Sequence, residues 1–209
     1  MASVTLPCLV SGGAHGADEC WSRDGARLGY EIHVYSFAGH RRSGKHTRLF
    51  EITNSDRSHY SFTLQQAAVH LGRRLDLANG YVRDLLCRNG LVAHRGDAML
   101  AVVADTPRGS RNRTLDCGVM GGTGWTCQLF VDRHARSNKQ VLLFVFSESE
   151  RKWLQASIVG TAVFWTRVLS PVPAVQHCEA IAVVGGRAIG PRGRSAIANI
   201  LHDMASPRY

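Results

Sequence analysis

Three segments of the chain each place an apolar, strand-like run before a glycine-rich turn and a helical pattern. The three turns are SGGAHGAD at 11–18, MGGTGW at 120–125 and VGGRAIG at 184–190. A strand followed by a glycine turn and a helix is the building unit of parallel sheets. The sequence therefore predicts an α/β fold, a Rossmann-like three-layer sandwich with a mainly parallel sheet.

Hydrophobic periodicity predicts the individual elements. Apolar or alternating runs predict strands at 4–10, 30–37, 97–105, 139–146 and 179–185. Helical spacing predicts helices at 17–28, 61–75, 81–93, 121–137 and 192–204. The polar, basic stretch 39–58 predicts a long loop, and 147–178 predicts one further strand, antiparallel at an edge. A length of 209 residues favours one domain over 1–209.

The charge balance favours anionic partners. Lys and Arg total 25 against 16 Asp and Glu, which gives a net charge of +9. All but three of these cations (Lys45, Lys139 and Lys152) are arginines. Guanidinium groups match phosphates in a bidentate geometry, although a genome rich in arginine codons would leave the same signature. Charge by itself does not separate nucleic acid from nucleotide.

Cysteines and histidines are scattered rather than paired. The six cysteines form no CxxC motif, and no HExxH motif and no helical pair of histidines at i, i+4 is present. We therefore expect no disulfide framework, no metal and no cofactor. The absence of an apolar run of membrane length and of a basic, apolar leader predicts a cytoplasmic protein without membrane segments.

The glycine-rich turns are the predicted ligand site. Ligands of open parallel sheets bind beyond the carboxyl ends of the strands, where helix N-termini present backbone N–H groups. Glycine lets a phosphate approach the backbone, although a tight turn alone also selects glycine. The motifs of P-loop NTPases and of dinucleotide dehydrogenases are both absent. We expect phosphate binding by residues of the first two turns: Ser11, Gly12, Gly13, Gly16, Gly121, Gly122, Thr123 and Gly124.

These motifs resemble those of a known superfamily. SGGAHGAD before a helix is similar to the SGGA-x-G-x-D signature of the SLOG superfamily, which contains the DprA-like and LOG-like proteins. MGGTGWTCQ resembles its second, GGxGT-type signature, and LLCRNGLVAHRGDAMLAVV the helix and strand before it. VVGGRAIGPRGRSAI resembles its VGSR-type unit, with Gly186 where serine is usual. Together these stretches cover about half of the chain.

The resemblance implies a ligand and an assembly. It implies a nucleotide or nucleotide-derived phosphorylated ligand, and it directs Arg88 and Asn89 towards the ligand cleft, although both also suit a helix C-terminus. Arg111 and Arg113, in the basic loop before the second turn, are expected to clamp a phosphate or else to be solvated. LOG-like proteins pair through helices, so a homodimer is expected, with apolar faces at 61–75 and 125–135 available for it.

The order of the motifs departs from the superfamily. In DprA-like members the VGSR-type unit precedes the SGGA unit, whereas here the SGGA unit comes first and VVGGR comes last. This order indicates a circular permutation, which is physically easy when chain termini lie close together. It predicts that strands 4–10 and 179–185 are neighbours in the sheet.

The catalytic residue of LOG-like enzymes is replaced. LOG-like enzymes carry a PGGxGTxxE motif and hydrolyse the N-glycosidic bond of nucleoside 5′-monophosphates. In this sequence Gln128 stands at the position of the glutamate of that motif. An amide can hydrogen-bond a sugar but is not a base, so a glycosidase would need Asp18 or Glu19, which also suit a helix N-terminus. The sequence therefore leaves three functions open: a nucleotide sensor or binding protein, a LOG-like phosphoribohydrolase, and DprA-like binding of single-stranded DNA.

Overall fold

One eight-stranded sheet forms the middle of the molecule. The computed structural model describes residues 6–109, 115–137 and 140–206. Its strands are β1 Cys8–Ser11, β2 Ile32–Ser36, β3 Arg48–Glu51, β4 Ala98–Val103, β5 Leu143–Ser147, β6 Lys152–Val159, β7 Ala162–Val168 and β8 Ala180–Gly185. Its helices are α1 Ala17–Arg27, α2 Asn54–Leu71, α3 Gly80–Arg95, α4 Gly121–Ser137, α5 Val172–Val175 and α6 Pro191–Ala205.

The strand order is β3-β2-β1-β8-β4-β5-β6-β7. The first six strands in this order, from β3 across to β5, are parallel to one another. β6 pairs antiparallel with β5, and β7 pairs antiparallel with β6. The first and last strands pair directly, with Leu9 opposite Ile181. The predicted adjacency of these two strands is confirmed.

Helices cover both faces of the sheet. On one face α3 packs against α2 and α4, and on the other α1 packs against α6. The central strand β4 is buried at all six positions, because a strand covered on both faces reads as a continuous apolar run. The predicted three-layer α/β sandwich with a mainly parallel sheet is confirmed. Within the described ranges, none of the helices combines the length and apolarity needed to cross a membrane.

The stretch 39–58 is more structured than predicted. It contains the edge strand β3, whose residues Arg48, Leu49 and Glu51 are exposed and therefore show no apolar period. It also contains the start of α2, where the Oγ1 of Thr53 accepts from the backbone N–H of Asp56 and the Asp56 carboxylate accepts from the N–H of Thr53. The prediction of a loop over 39–58 is therefore wrong for its second half.

The segment 147–178 forms two strands rather than one. β6 and β7 make an antiparallel hairpin that turns at Gly160, whose φ of +61° suits glycine. The hairpin extends the sheet at the edge, as predicted for the single strand.

The apolar helix faces that were expected to be available for a homodimer are covered within the chain. Leu64 and Ala68 of α2 are buried, and α2 packs against α4. Phe62 and Val69, on the outer side of α2, are 63% and 76% exposed. The homodimer stays a prediction, and these two exposed residues are the apolar groups that α2 offers to it.

Candidate functional site

A cleft opens where the chain changes direction in the sheet. β1 leads through α1 to β2 on one side, β4 leads through α4 to β5 on the other, and β8 lies between them. Such switch points are the usual ligand sites of open parallel sheets. The cleft here has a volume of about 360 Å³. Its lining residues are Ala14, Asp18, Leu85, Arg88, Asn89, Gly122, Thr123, Thr126, Val184, Gly185, Gly186 and Arg187.

Arg88 is the buried cation of the cleft. It comes from α3, its side chain is only 7% exposed, and its Nη1 lies 3.8 Å from Oδ2 of Asp18. Its Nε has no hydrogen-bond partner among the described residues. Burying a guanidinium with an unused donor is costly unless an anion compensates it. Arg88 therefore places a cation at the wall of the cleft, with Asp18 as the nearest carboxylate.

Gly12 makes room for this arginine. A Cβ atom on Gly12 would lie 1.3 Å from Nη1 of Arg88, so any side chain there would displace the guanidinium. The glycine that the sequence assigned to phosphate contact thus has a packing reason to be glycine. It acts on the cleft through Arg88.

Asp18 places the carboxylate of the cleft beside Arg88. It lies in the first turn of α1, is 4% exposed, and accepts a hydrogen bond from the backbone N–H of Ala14 at 3.1 Å. Burial raises the pKa of Asp18 to about 6, against the lowering effects of Arg88 and of the hydrogen bonds from Ala14 and Ser11. Asp18 is therefore able to exchange a proton near neutral pH.

Glu19, the other predicted carboxylate, lies elsewhere. Its Oε2 is 2.7 Å from Nδ1 of His15, an exposed residue of the same turn. Glu19 is not among the residues that line the cleft. Of the two proposed acidic residues, the structure brings only Asp18 to the cleft.

The N-terminus of α4 forms one wall. Gly122, Thr123 and Thr126 line the cleft there. A Cβ on Gly122 would meet no atom within 4 Å, so this glycine is not required by packing and a larger residue would not strain the turn. Gly124 differs, because a Cβ there would lie 2.0 Å from the carbonyl oxygen of Val119.

Arg73 fixes the turn that precedes α4. Its Nη1 donates to the carbonyl oxygen of Gly121 at 2.8 Å, and its Nη2 donates to that of Val119 at 3.1 Å. The same guanidinium lies over the ring of Trp125, 5.9 Å from its centroid. Trp125 also packs against the core, which favours its packing role over stacking on a ligand base.

The first glycine turn packs against the third. The backbone N–H of Ala17 donates to the carbonyl oxygen of Gly186 at 3.1 Å. A Cβ on Gly16 would lie 2.4 Å from the carbonyl oxygen of Arg187. Gly13 has a φ of +63°, and its N–H donates to the Oγ of buried Ser11. Ala14 and Asp18 are the residues of this turn that line the cleft, so direct phosphate contact by Ser11, Gly13 and Gly16 stays a prediction.

The helix N-terminus at the third turn is already occupied. The carboxylate of Glu148 accepts from the backbone N–H of Gly190 at 2.9 Å and of Gly193 at 2.6 Å. This carboxylate satisfies the free donors and positive end of α6 in the way a bound anion would. The expectation that all three turns offer free helix N-termini is therefore corrected for the third.

Gln128 is buried away from the cleft. Its Oε1 accepts from the backbone N–H of Cys117, and its Nε2 donates to the carbonyl oxygen of Leu115 and to Oδ1 of Asp132. It is fully buried and does not line the cleft. The expectation that the Gln128 amide hydrogen-bonds a sugar is therefore corrected. The amide instead hydrogen-bonds the backbone of the loop that precedes α4.

Sequence reasoning missed Arg187. This exposed arginine follows the glycine pair at the end of β8 and lines the cleft. Burial is the main cause that lowers the pKa of His40 to about 4, and the charges of Arg88, Arg42 and Arg187 act in the same direction, so these three guanidinium groups act on one imidazole. The position of Arg187 directly after a strand-end glycine was the available signal. Asn89 is also a lining residue of the cleft, and Arg111 and Arg113 lie outside the described residues.

The lining of the cleft suits an anion better than a metal. It combines two guanidinium groups, two threonine hydroxyls and one carboxylate, and it includes no imidazole or thiol among the described residues. Comparison with protein-family models, with curated proteins and with solved structures finds no match for this chain. The ligand class therefore has to be argued from the cleft itself.

Proposed function

We propose that the cleft binds the phosphate of a nucleotide or nucleotide-derived small molecule, and that the protein acts as a sensor or binding protein for it. The observation that carries this proposal is the buried guanidinium of Arg88, which lines the cleft and whose Nε has no hydrogen-bond partner among the described residues. Charge-assisted hydrogen bonds from arginine to phosphate are among the strongest polar contacts in proteins.

Other groups of the cleft support the same ligand. Gly122 and Thr123, in the first turn of α4, line the cleft, so the positive end of this helix adjoins it, and Arg187 adds a second cation. The volume of about 360 Å³ lies within the range of small-molecule sites. The SLOG-like turns point to a nucleotide among phosphorylated ligands.

Calorimetric titration with nucleoside 5′-monophosphates and with the matching nucleosides tests this proposal. Arg88→Met removes the guanidinium and keeps an apolar stem, whereas Arg83→Gln is the control, because Arg83 is exposed on the same helix and pairs with Asp84. We expect at least one monophosphate to bind the parent and Arg83→Gln, and to bind Arg88→Met at least about tenfold more weakly. Failure of every monophosphate to bind the parent would reject the proposal.

A nucleotide N-glycosidase is the second candidate. The observation that favours it is Asp18, a carboxylate in the cleft whose pKa is raised to about 6 and which therefore suits proton transfer near neutral pH. Release of free base from bound monophosphates, followed by chromatography, tests it. Base release that Asp18→Asn abolishes would support the enzyme, and binding without base release would leave the binding protein.

A further inference from the structure

Three metal-ligating side chains meet on another part of the sheet. Cys8 begins β1, Glu31 directly precedes the neighbouring strand β2, and His33 is the second residue of β2. The register pairs Leu9 with Ile32, and the N–H of Leu9 donates to the carbonyl oxygen of Glu31. Cys8 therefore lies beside Glu31, and His33, two residues further on, points to the same face. One ligand atom from each of the three side chains lies within 4.8 Å of the others.

We propose that Cys8, Glu31 and His33 bind a zinc-like divalent metal ion. Thiolate, imidazole and carboxylate are the three donor types that proteins use for Zn²⁺. Metal–ligand distances of about 2.0–2.3 Å place the donors of a tetrahedral site roughly 3.3–3.8 Å apart, so the present cluster needs only small side-chain movements. Three protein ligands leave the fourth position for water or another ligand.

The cluster is accessible from solvent. Cys8 and His33 line a groove of about 470 Å³, and Glu31 is exposed. Three further carboxylates line this groove, from Glu51, Asp56 and Glu179, against the single cation of Arg95. This acidic lining attracts cations, in contrast to the basic cleft at the other end of the strands, with which the groove shares no lining residue.

Two contacts of Glu31 must give way to the metal. Its Oε1 lies 2.8 Å from Nε2 of His33 and 3.0 Å from Nε of Arg48. The side chain of Arg48 is 66% exposed, so it can return to water at little cost, as is usual for surface ion pairs. The metal would take over the contact between Glu31 and His33 and would also tie β1 to β2.

Titration of the chelator-treated full chain with Co²⁺ tests the proposal, because a thiolate bound to Co²⁺ gives a charge-transfer absorption band. We expect one equivalent of Co²⁺ to bind with this band and Zn²⁺ to displace it. Cys8→Ser should remove the band. Cys178→Ser is the matched control, because Cys178 is the other half-buried cysteine and lies outside the cluster.

Two further variants separate coordination from folding. Glu31→Gln and His33→Gln should each weaken Co²⁺ binding by about 100-fold or more, since changes behind the ligands alone cost 10–100-fold. Glu150→Gln, which removes an exposed carboxylate outside both the groove and the cluster, should bind as the parent does. A missing charge-transfer band in the parent, a band that persists in Cys8→Ser, or equal affinity in Glu31→Gln would overturn the proposal. Circular dichroism confirms that each variant is folded.

Discussion

The Nη1 atom of Arg88 lies 3.8 Å from Oδ2 of Asp18, and both side chains are more than nine-tenths buried. This separation is too long for a direct hydrogen bond, so the carboxylate offsets the charge of Arg88 without using its donors. Arg88 on α3 and Asp18 on α1 come from opposite faces of the sheet and meet at the carboxyl end of β8. The pair holds a buried cation at the cleft, where the proposed phosphate would meet it.

Anion binding should strengthen as the pH falls through about 6. Burial raises the pKa of Asp18 to about 6, so its carboxylate is ionised above that pH and repels an anion beside Arg88. Below it the group is neutral and the repulsion disappears. We expect the affinity for sulfate, which does not titrate in this range, to rise by about three- to tenfold between pH 8 and pH 5.

Asp18→Asn is the variant that identifies the titrating group. Its affinity for sulfate should be high and nearly independent of pH over the same range. His40 does not explain a change above pH 5, because burial and the neighbouring arginines lower its pKa to about 4 and it stays neutral. An unchanged pH profile in Asp18→Asn would show that another group is responsible.

Gly12→Ala should lose anion binding while the fold survives. The new methyl group would lie 1.3 Å from Nη1 of Arg88, and the end of this flexible side chain can move aside. We expect phosphate affinity to fall by about 10- to 100-fold, the range for charge-assisted hydrogen bonds. Calorimetry measures the affinity and thermal unfolding measures the stability.

Gly80→Ala is the control for this substitution, because Gly80 starts the same helix as Arg88 and a Cβ there meets only the tip of Arg83, at 3.8 Å. Its phosphate affinity should match that of the parent. Normal phosphate binding by Gly12→Ala would show that Arg88 is not part of the anion site.

Gly122→Val, at a position with open space, should fold normally and should hinder the ligand at the wall of the cleft.

Gln128→Glu should destabilise the protein rather than create an enzyme. The amide Nε2 donates to Leu115 and to buried Asp132, and a carboxylate would leave both acceptors unsatisfied and place two acids together. We expect a loss of about 2–5 kcal/mol in the free energy of unfolding. Urea denaturation measures it, with Gln65→Glu on the exposed face of α2 as a control that changes it by less than about 0.5 kcal/mol. Base release by a fully stable Gln128→Glu would contradict this assignment.

The sequence predicted the parallel sheet because its central strands are buried on both faces. β4 and β8 show continuous apolar runs, and the glycine turns mark where each strand meets its helix. The sequence did not predict the edge strand β3. A strand at the edge of a sheet can expose charged residues such as Arg48 and Glu51, so it shows no alternating apolar pattern. The capping box, in which Thr53 and Asp56 bond to each other's backbone N–H groups, was the local signal that α2 begins before its first apolar residues.

The site was predicted less completely, because its contacts join distant parts of the chain. The glycine turns predicted where the cleft lies. Arg88 was assigned to the cleft only because the sequence around it resembles the SLOG superfamily, and no residue pattern near Arg88 predicted its place. The spacing of Gln128 from the turn did not show which side of α4 it occupies. The packing of Arg88 over Gly12, and the position of Arg187 in the same cleft as the start of α4, arise only when the sheet is assembled.

The contribution of the phosphate group to binding tests the central claim most directly. The measurement is the ratio of the dissociation constants of a nucleoside and its 5′-monophosphate, in the parent and in Arg88→Met. We expect the monophosphate to bind the parent at least about tenfold more tightly than the nucleoside, and this advantage to disappear largely in Arg88→Met. Equal binding of the two compounds by the parent, or an undiminished advantage in Arg88→Met, would contradict it.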